Sequence, residues 1–361
     1  MMPETPTTTT TRAEDPWRRI ASSPLEGRYA HGSAWTGDQL VIWGGIYRSG
    51  DTLVDLTDGA AYNPASDTWR SLSPAPSDLA GPADAVWTGQ EMIVRTDRVP
   101  DGPAVMAAYQ PAADTWRVIE GGPGAVREGY TLLWTGTDLI IWGGNSGDML
   151  AGPTLGAAYD PTTDRWRAIR ESPIAPRTGH QTVWTGEEMI IWGGRGSCAG
   201  KDSTCVEDLT DGAAYNPATD TWRTLPTSGD LQSSAVAVWD GDQILFWSQD
   251  ECTRRCLVGE AYDPQTDFWL QLPDPPAPAT SDLYRALWIG DRALLWNQDG
   301  TALTYQPNTA TWQTLPPYPS ADRRFFLTLG WTGQAVIVWG GWNGHAFTPP
   351  SNDGAALDPT P

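Results

Sequence analysis

Positive charge is scarce in this chain: 23 Lys and Arg residues face 44 Asp and Glu, a net charge of −21 over 361 residues. Nucleic acid and anionic membrane surfaces would be repelled, so neither is expected as a partner. A cationic ligand or divalent cations stay open beside the plain reading of a solvated acidic surface. No stretch comes near the roughly 20 apolar residues that span a bilayer, and no membrane insertion is expected. The start, Met1-Met2-Pro3-Glu4, lacks the charged-then-apolar pattern of a signal peptide. Ser-His-Asp, paired-carboxylate and phosphate-loop patterns are missing too, which argues against an enzyme. Helical periodicity is also lacking, because the apolar runs are four to six residues long and broken by turn residues.

Tryptophan, by contrast, is abundant, and 20 of the 21 residues fall into three columns of a repeat of about 50 residues. The first column is Trp35, Trp87, Trp134, Trp184, Trp239, Trp288 and Trp331, usually in Trp-Thr-Gly. Eight residues later stand Trp43, Trp142, Trp192, Trp247, Trp296 and Trp339, with Arg95 in the second repeat's place; four of the seven repeats continue into Gly-Gly. The third column is Trp17, Trp69, Trp116, Trp166, Trp222, Trp269 and Trp312, six of them seven residues after a tyrosine. Packing is the role expected of nearly all of them.

Each repeat reads as four short strands. In the fourth, Gln181-Thr182-Val183-Trp184 and Met189-Ile190-Ile191-Trp192 flank a tight turn, and Ala213-Ala214-Tyr215 and Trp222-Arg223-Thr224-Leu225 flank Asn216-Pro217-Ala218-Thr219-Asp220. Pro fixes φ there, and Asn and Asp can cap the backbone. One such sheet cannot cover both its faces, whereas seven packed around an axis can. A seven-bladed β-propeller of four-stranded antiparallel blades is therefore expected, all-β. The last repeat stops at Gly354-Ala355-Ala356-Leu357-Asp358-Pro359 without a third-column Trp, and Asp15-Pro16-Trp17-Arg18-Arg19-Ile20 supplies that strand, so an N-terminal strand should complete the C-terminal blade. Residues 1–14 form a Thr/Pro-rich, disordered tail in this reading, and 15–361 the propeller. Its closing strand is 15–20, with blades at about 28–72, 80–119, 127–169, 177–225, 232–272, 281–315 and 324–361.

The strings Arg177-Thr178-Gly179-His180, Met189-Ile190-Ile191-Trp192-Gly193-Gly194, Tyr215-Asn216-Pro217 and Trp222 resemble the Kelch-repeat propellers related to the galactose oxidase central domain, over residues 15–361. The resemblance implies a fold and no single function, since that fold hosts binding modules, oxidases, sugar isomerases and cytoskeletal partners. The copper radical chemistry of galactose oxidase is not expected. It needs two His and two Tyr ligands, one Tyr cross-linked to a Cys, and the cysteines here are expected to pair within their own loops.

Those four cysteines, Cys198 with Cys205 and Cys252 with Cys256, lie between the second and third strands of blades four and five. Two local disulfides are expected, with a shared zinc site or free thiols as alternatives. Disulfides, and the tether-like run Thr7 to Thr11, favour an extracytoplasmic or secreted protein; the start taken literally means a cytoplasmic one.

Function is expected on the rim carrying the second-to-third-strand loops, which are long in blades one (Ile46 to Asp58), four (Arg195 to Asp211) and seven (Trp342 to Asp353). Asp51, Asp55, Asp208, Trp342 and His345 are the candidate rim residues. At the channel mouth on that side, Arg28, Arg127, Arg177 and Arg324 stand seven residues before the first-column Trp, and His31, Tyr130, His180 and Tyr284 four before it. Two readings of the arginines are open: a structural contact inside each blade, or a guanidinium ring that takes a carboxylate. The histidines read as packing residues, and a metal shared by His31 and His345 is the weaker alternative. Arg95, replacing a Trp, should pair with Asp84 or Asp97; Arg98, Asp282 and Arg285 also break the repeat, and together they admit a polar pocket. No cofactor is expected. Ca²⁺ is open at the acidic loop ends Asp55, Asp58, Asp208 and Asp211. The leading expectation is a monomeric, non-catalytic propeller that binds a protein or glycan through the rim of blades seven, one and four. Its rival is an epimerase- or mutarotase-like enzyme for an acidic sugar at the mouth, where Glu26 and Glu128 are the glutamates beside the arginines.

Overall fold

Runs such as Leu40-Val41-Ile42-Trp43 and Met189-Ile190-Ile191-Trp192 are apolar throughout because they become strands buried on both faces. Val41 and Trp43 turn toward the second repeat's sheet, and Leu40 and Ile42 toward the seventh's. The computed structural model describes residues 16–96, 104–122, 128–145, 156–198, 205–250, 256–276, 283–320, 323–345 and 347–359. Of Glu128, Asn145, Asp250, Cys256 and Tyr284 it describes the backbone alone. The tail 1–14 and Asp97, Arg98, Arg127, Cys252 and Asp282 lie outside the described residues.

Seven four-stranded antiparallel sheets, one per repeat, carry the architecture, which is that of a β-propeller. The first sheet runs Gly32–Trp35, Leu40–Trp43, Gly59–Asn63 and Thr68–Ser71. In the seventh, Thr328–Trp331, Val336–Trp339 and Gly354–Leu357 are joined by Trp17–Arg19 from the other end of the chain, with Trp17 opposite Leu357 and Arg19 opposite Ala355. Buried apolar clusters lie between consecutive sheets; one joins sheets six and seven around Trp296 and Trp17, another joins seven and one around Trp339 and Tyr62.

The third-column indoles fasten these layers. Trp69 Nε1 donates to the Ala21 carbonyl at 2.8 Å, Trp116 to Ser73 at 3.0 Å and Trp17 to Pro316 at 3.0 Å, each reaching the link that leaves the preceding sheet. The turn between third and fourth strands forms as its residues dictate: Asn216 Oδ1 accepts from the Ala218 and Thr219 amides, and Asp220 sits at φ 51°, where Asp is tolerated. Tyr215 then donates to Asp220 at 2.8 Å.

The rim segments expected as long loops differ in the structure: two of them are hairpins. Ile46–Ser49 pairs with Thr52–Asp55 around Gly50, whose φ of 60° suits the first position of a two-residue turn. Arg195–Ser197 pairs with Val206–Asp208 and with Arg177–Thr178. The Cys198–Cys205 disulfide, with Cα atoms 5.4 Å apart, closes that second hairpin.

Candidate functional site

Three of the mouth arginines turn inward. Arg28, 0% exposed, donates from Nη1 to the Gly44 and Asp58 carbonyls at 3.0 and 3.1 Å, and its Nη2 lies 2.9 Å from the Asp58 carboxylate. Arg177 repeats this geometry on Gly193 and Asp211, with the Asp211 carboxylate at 2.8 Å. Arg324 meets Asp353 at 2.7 Å and lies over the Tyr318 ring. A guanidinium holding the first Gly of Trp-Gly-Gly and the Asp before Gly-Ala-Ala is the contact inside the blade, so these three forks are not presented together to a carboxylate ligand.

The two histidines bridge neighbouring sheets. His31 Nε2 is 2.6 Å from Thr328 Oγ1 and its ring stands edge-on to Trp339; His180 Nε2 is 2.7 Å from Thr131 Oγ1 and edge-on to Trp142. A side chain on Gly143 would strike His180 at 2.6 Å, which is why glycine follows that Trp. Burial first, and then the charges of Arg28 and Arg285, pushes His31 down to about 3; burial and Arg177 do the same to His180. His31 is buried and His345 exposed, and no group of three or more potential metal ligands occurs among the described residues. Asp58 and Asp211 are engaged by arginines, and Asp208 pairs with Arg195 at 3.2 Å.

At the junction of sheets two and three the same three positions carry different chemistry. Tyr130 stands where His31 and His180 stand, and donates to Asp84 Oδ2 at 2.6 Å, the position of Thr131 and Thr328. Arg95, in the second-column Trp position, lies 4.0 Å over the Tyr130 ring and directly across the strand pair from Asp84. Trp-His-Thr is thus replaced as a set by Arg-Tyr-Asp. A cavity of about 260 Å³ opens there, lined by Asp84, Tyr130, Thr131, His180 and Thr182. Of the remaining mouth residues, Arg127 is outside the described residues, as are the side chains of Tyr284 and Glu128.

Apolar side chains are exposed on the loop rim of sheets seven and one, as they also are on the outer strands of sheets two and five, at Val118, Phe268 and Leu270. Phe347 is 86% exposed, Leu53 56%, Phe326 48% and Val54 43%, four of the seven large hydrophobic side chains found exposed among the described residues. Trp342 stacks on Tyr29 at 5.2 Å, and Arg48 lies 5.2 Å over its ring. Phe347 reaches across to Gly50 at the tip of the first sheet's hairpin, beside Asp51. Phe326 has φ 53° at a position filled by Gly129 and Gly179 in repeats three and four, a strained backbone for a bulky residue. Sequence reasoning missed Phe326 and Phe347; the available signal was a bulky Phe where repeats one, three and four carry Ala30, Gly129 and Gly179. A larger cleft of about 770 Å³ between sheets two and three has polar walls already bonded to their surroundings, Arg117 to Glu91 and Asp138 to Arg167.

The family model of the Attractin/LZTR1 beta-propeller matches residues 7–244. No curated protein matches the chain.

Proposed function

The chain belongs to the Attractin/LZTR1 beta-propeller family, and from that premise we propose a non-catalytic interaction propeller that takes a protein partner on the loop rim of sheets seven and one. The observation that carries this reading is the aromatic and aliphatic patch formed by Phe326, Trp342, Phe347 and Leu53, drawn from three segments, one of them at the far end of the chain from the others. Monomeric proteins seldom leave such side chains contiguous on the surface without a use. The strained Phe326 adds to it, because a backbone conformation costing about 1–3 kcal/mol is kept where something needs the side chain. Sheet four, with its disulfide-closed hairpin, is a third wall of the same rim in this reading. A glycan has less to hold on to there, since the exposed side chains of the patch are apolar. The acidic-sugar enzyme loses its carboxylate anchor with Arg28, Arg177 and Arg324 turned inward.

The frame that presents the patch is, in this proposal, a seven-bladed ring of the Kelch type closed by Trp17–Arg19. What supports closure is the strand pairing of Trp17–Arg19 with Gly354–Leu357 and the core shared by sheets seven and one. The Cys198–Cys205 bridge supports an oxidising, extracytoplasmic setting.

The test compares Phe326→Ala/Phe347→Ala with the opposite-side control Gln90→Ala. A partner identified by co-purification and then titrated in pure form should lose about thirtyfold or more in affinity for the double variant, as expected of hot-spot aromatics. It should bind the control like wild type. A partner that binds all three equally sinks the reading.

A further inference from the structure

The rim hairpin has an open edge. Ile46–Ser49 is covered on one side, where the Tyr29 and Ile46 amides and carbonyls exchange bonds of 3.2 and 2.9 Å, and on the other by Thr52–Asp55. Every residue of Thr52–Asp55 is exposed, and among the described residues no further strand pairs with it. Antiparallel pairs alternate between hydrogen-bonded and non-bonded. Ile46 directs its backbone groups at Tyr29, so Ile46 with Asp55 is a non-bonded pair, Tyr47 with Val54 a bonded one, and Arg48 with Leu53 non-bonded again. The Leu53 N–H and C=O therefore point out of the hairpin, at the open edge.

Resting on the rim reading above, we propose that the partner engages this surface by strand addition: an extended segment pairs with Thr52–Asp55, exchanging two main-chain hydrogen bonds with Leu53. Its side-chain chemistry follows from the register. Leu53 lies on the same face as Arg48, whose guanidinium covers Trp342, so the residue opposite Leu53 faces the aromatic wall of the seventh sheet's loop and is apolar. Asp55 shares that face two residues on, and Asp51 stands at the turn. Carboxylates at both ends of the edge, on a chain of net charge −21, select Lys or Arg at the ends of the segment and repel acidic ones. Edges left for no partner are normally blunted by inward charge, proline or a covering loop; this one has Leu and Val exposed in its middle.

The probe is a terminally blocked peptide alternating valine and threonine, with lysine at each end, titrated into the full chain while Trp fluorescence is followed. Wild type should bind it, and the same peptide N-methylated at its central valine should bind at least about tenfold more weakly, as should one with glutamate for lysine. Leu53→Pro, which removes the outward donor and no bond within the hairpin, should lose binding, whereas Leu53→Ala should lose less. No binding of the lysine peptide by wild type overturns the proposal, and so does binding indifferent to N-methylation. Either result leaves the rim reading standing if the purified partner still depends on Phe326 and Phe347. Loss of that dependence, with the peptide still bound, overturns the rim reading alone.

Discussion

The junction between sheets seven and one and the junction between sheets five and six have the same core and different polar fittings. Both bury second-column Trp and repeat Tyr residues, and in both a third-column indole reaches back, Trp69 to Ala21 at 2.8 Å and Trp312 to Pro273 at 3.0 Å. At the first junction His31 bonds Thr328, and Asp67 gathers Tyr62, the Ala21 amide and Arg18. At the second, Val236 holds the place of Thr328, Leu270 that of Arg18 and Ala310 that of Asp67. Ala310 keeps the left-handed φ of 51° without the carboxylate that suits it elsewhere. Aromatic burial is therefore the common cohesive element, and the polar bridges are additions that sheets five and six lack among the described residues.

Four experiments press on this contrast. The largest effect belongs to the shared element: Trp17→Ala, which empties part of the core between sheets six and seven, should cost about 3–5 kcal/mol in urea unfolding, and Trp312→Ala, whose ring is only partly buried between sheets five and six, a smaller but clear amount. An unchanged midpoint for either would break the idea of a uniform aromatic core.

Next comes pH. His31 and His180 are held near 3 in the fold against an ordinary 6.5, so between those values the unfolded chain binds a proton at each and the native chain does not. Stability is complete above the ordinary value and falls as the pH drops toward 3, by about 1.4 kcal/mol per pH unit for each histidine. Unfolding measured at several pH values should show that slope just below the ordinary value, and His31→Gln/His180→Gln should flatten it. An equally steep slope in the double variant would place the titration elsewhere.

Smaller again is Thr131→Val, which deprives the buried His180 Nε2 of its partner and should cost about 1–3 kcal/mol, while Val236→Thr at the apolar junction should gain nothing. Equal effects of the two would erase the distinction between the junctions. Smallest is a transplant: Leu270→Arg with Ala310→Asp should rebuild the outer bridge between sheets five and six and add about 0.2–1 kcal/mol, as an exposed pair does. A double-mutant cycle with no coupling energy would show that the bridge needs more than its two charges.

Much of the fold was legible because the Trp columns are spaced by a repeat, and a strand buried on both faces must be apolar along its length. The strand reading of Met189-Ile190-Ile191-Trp192 and the turn at Asn216 to Asp220 follow from residues that touch each other locally. The candidate site was legible only in part. Arg28 and Arg177 stood out by position, yet whether a guanidinium faces a channel or a backbone carbonyl depends on the loop that folds over it. Phe347 carried no repeat signal, because it lies in a loop whose length is peculiar to one sheet.

By itself the sequence determined the unit: four strands, three aromatic columns, a turn chemistry and a final strand lacking at one end and present at the other. These are matters of period and local propensity, readable one repeat at a time. The tertiary structure decided which neighbour each polar side chain would meet, since His31 with Thr328 and Tyr130 with Asp84 join residues that are distant in the chain and adjacent only once the sheets stack. It decided the rim patch for the same reason: Leu53 and Phe347 become one surface because sheets seven and one, at opposite ends of the chain, pack side by side.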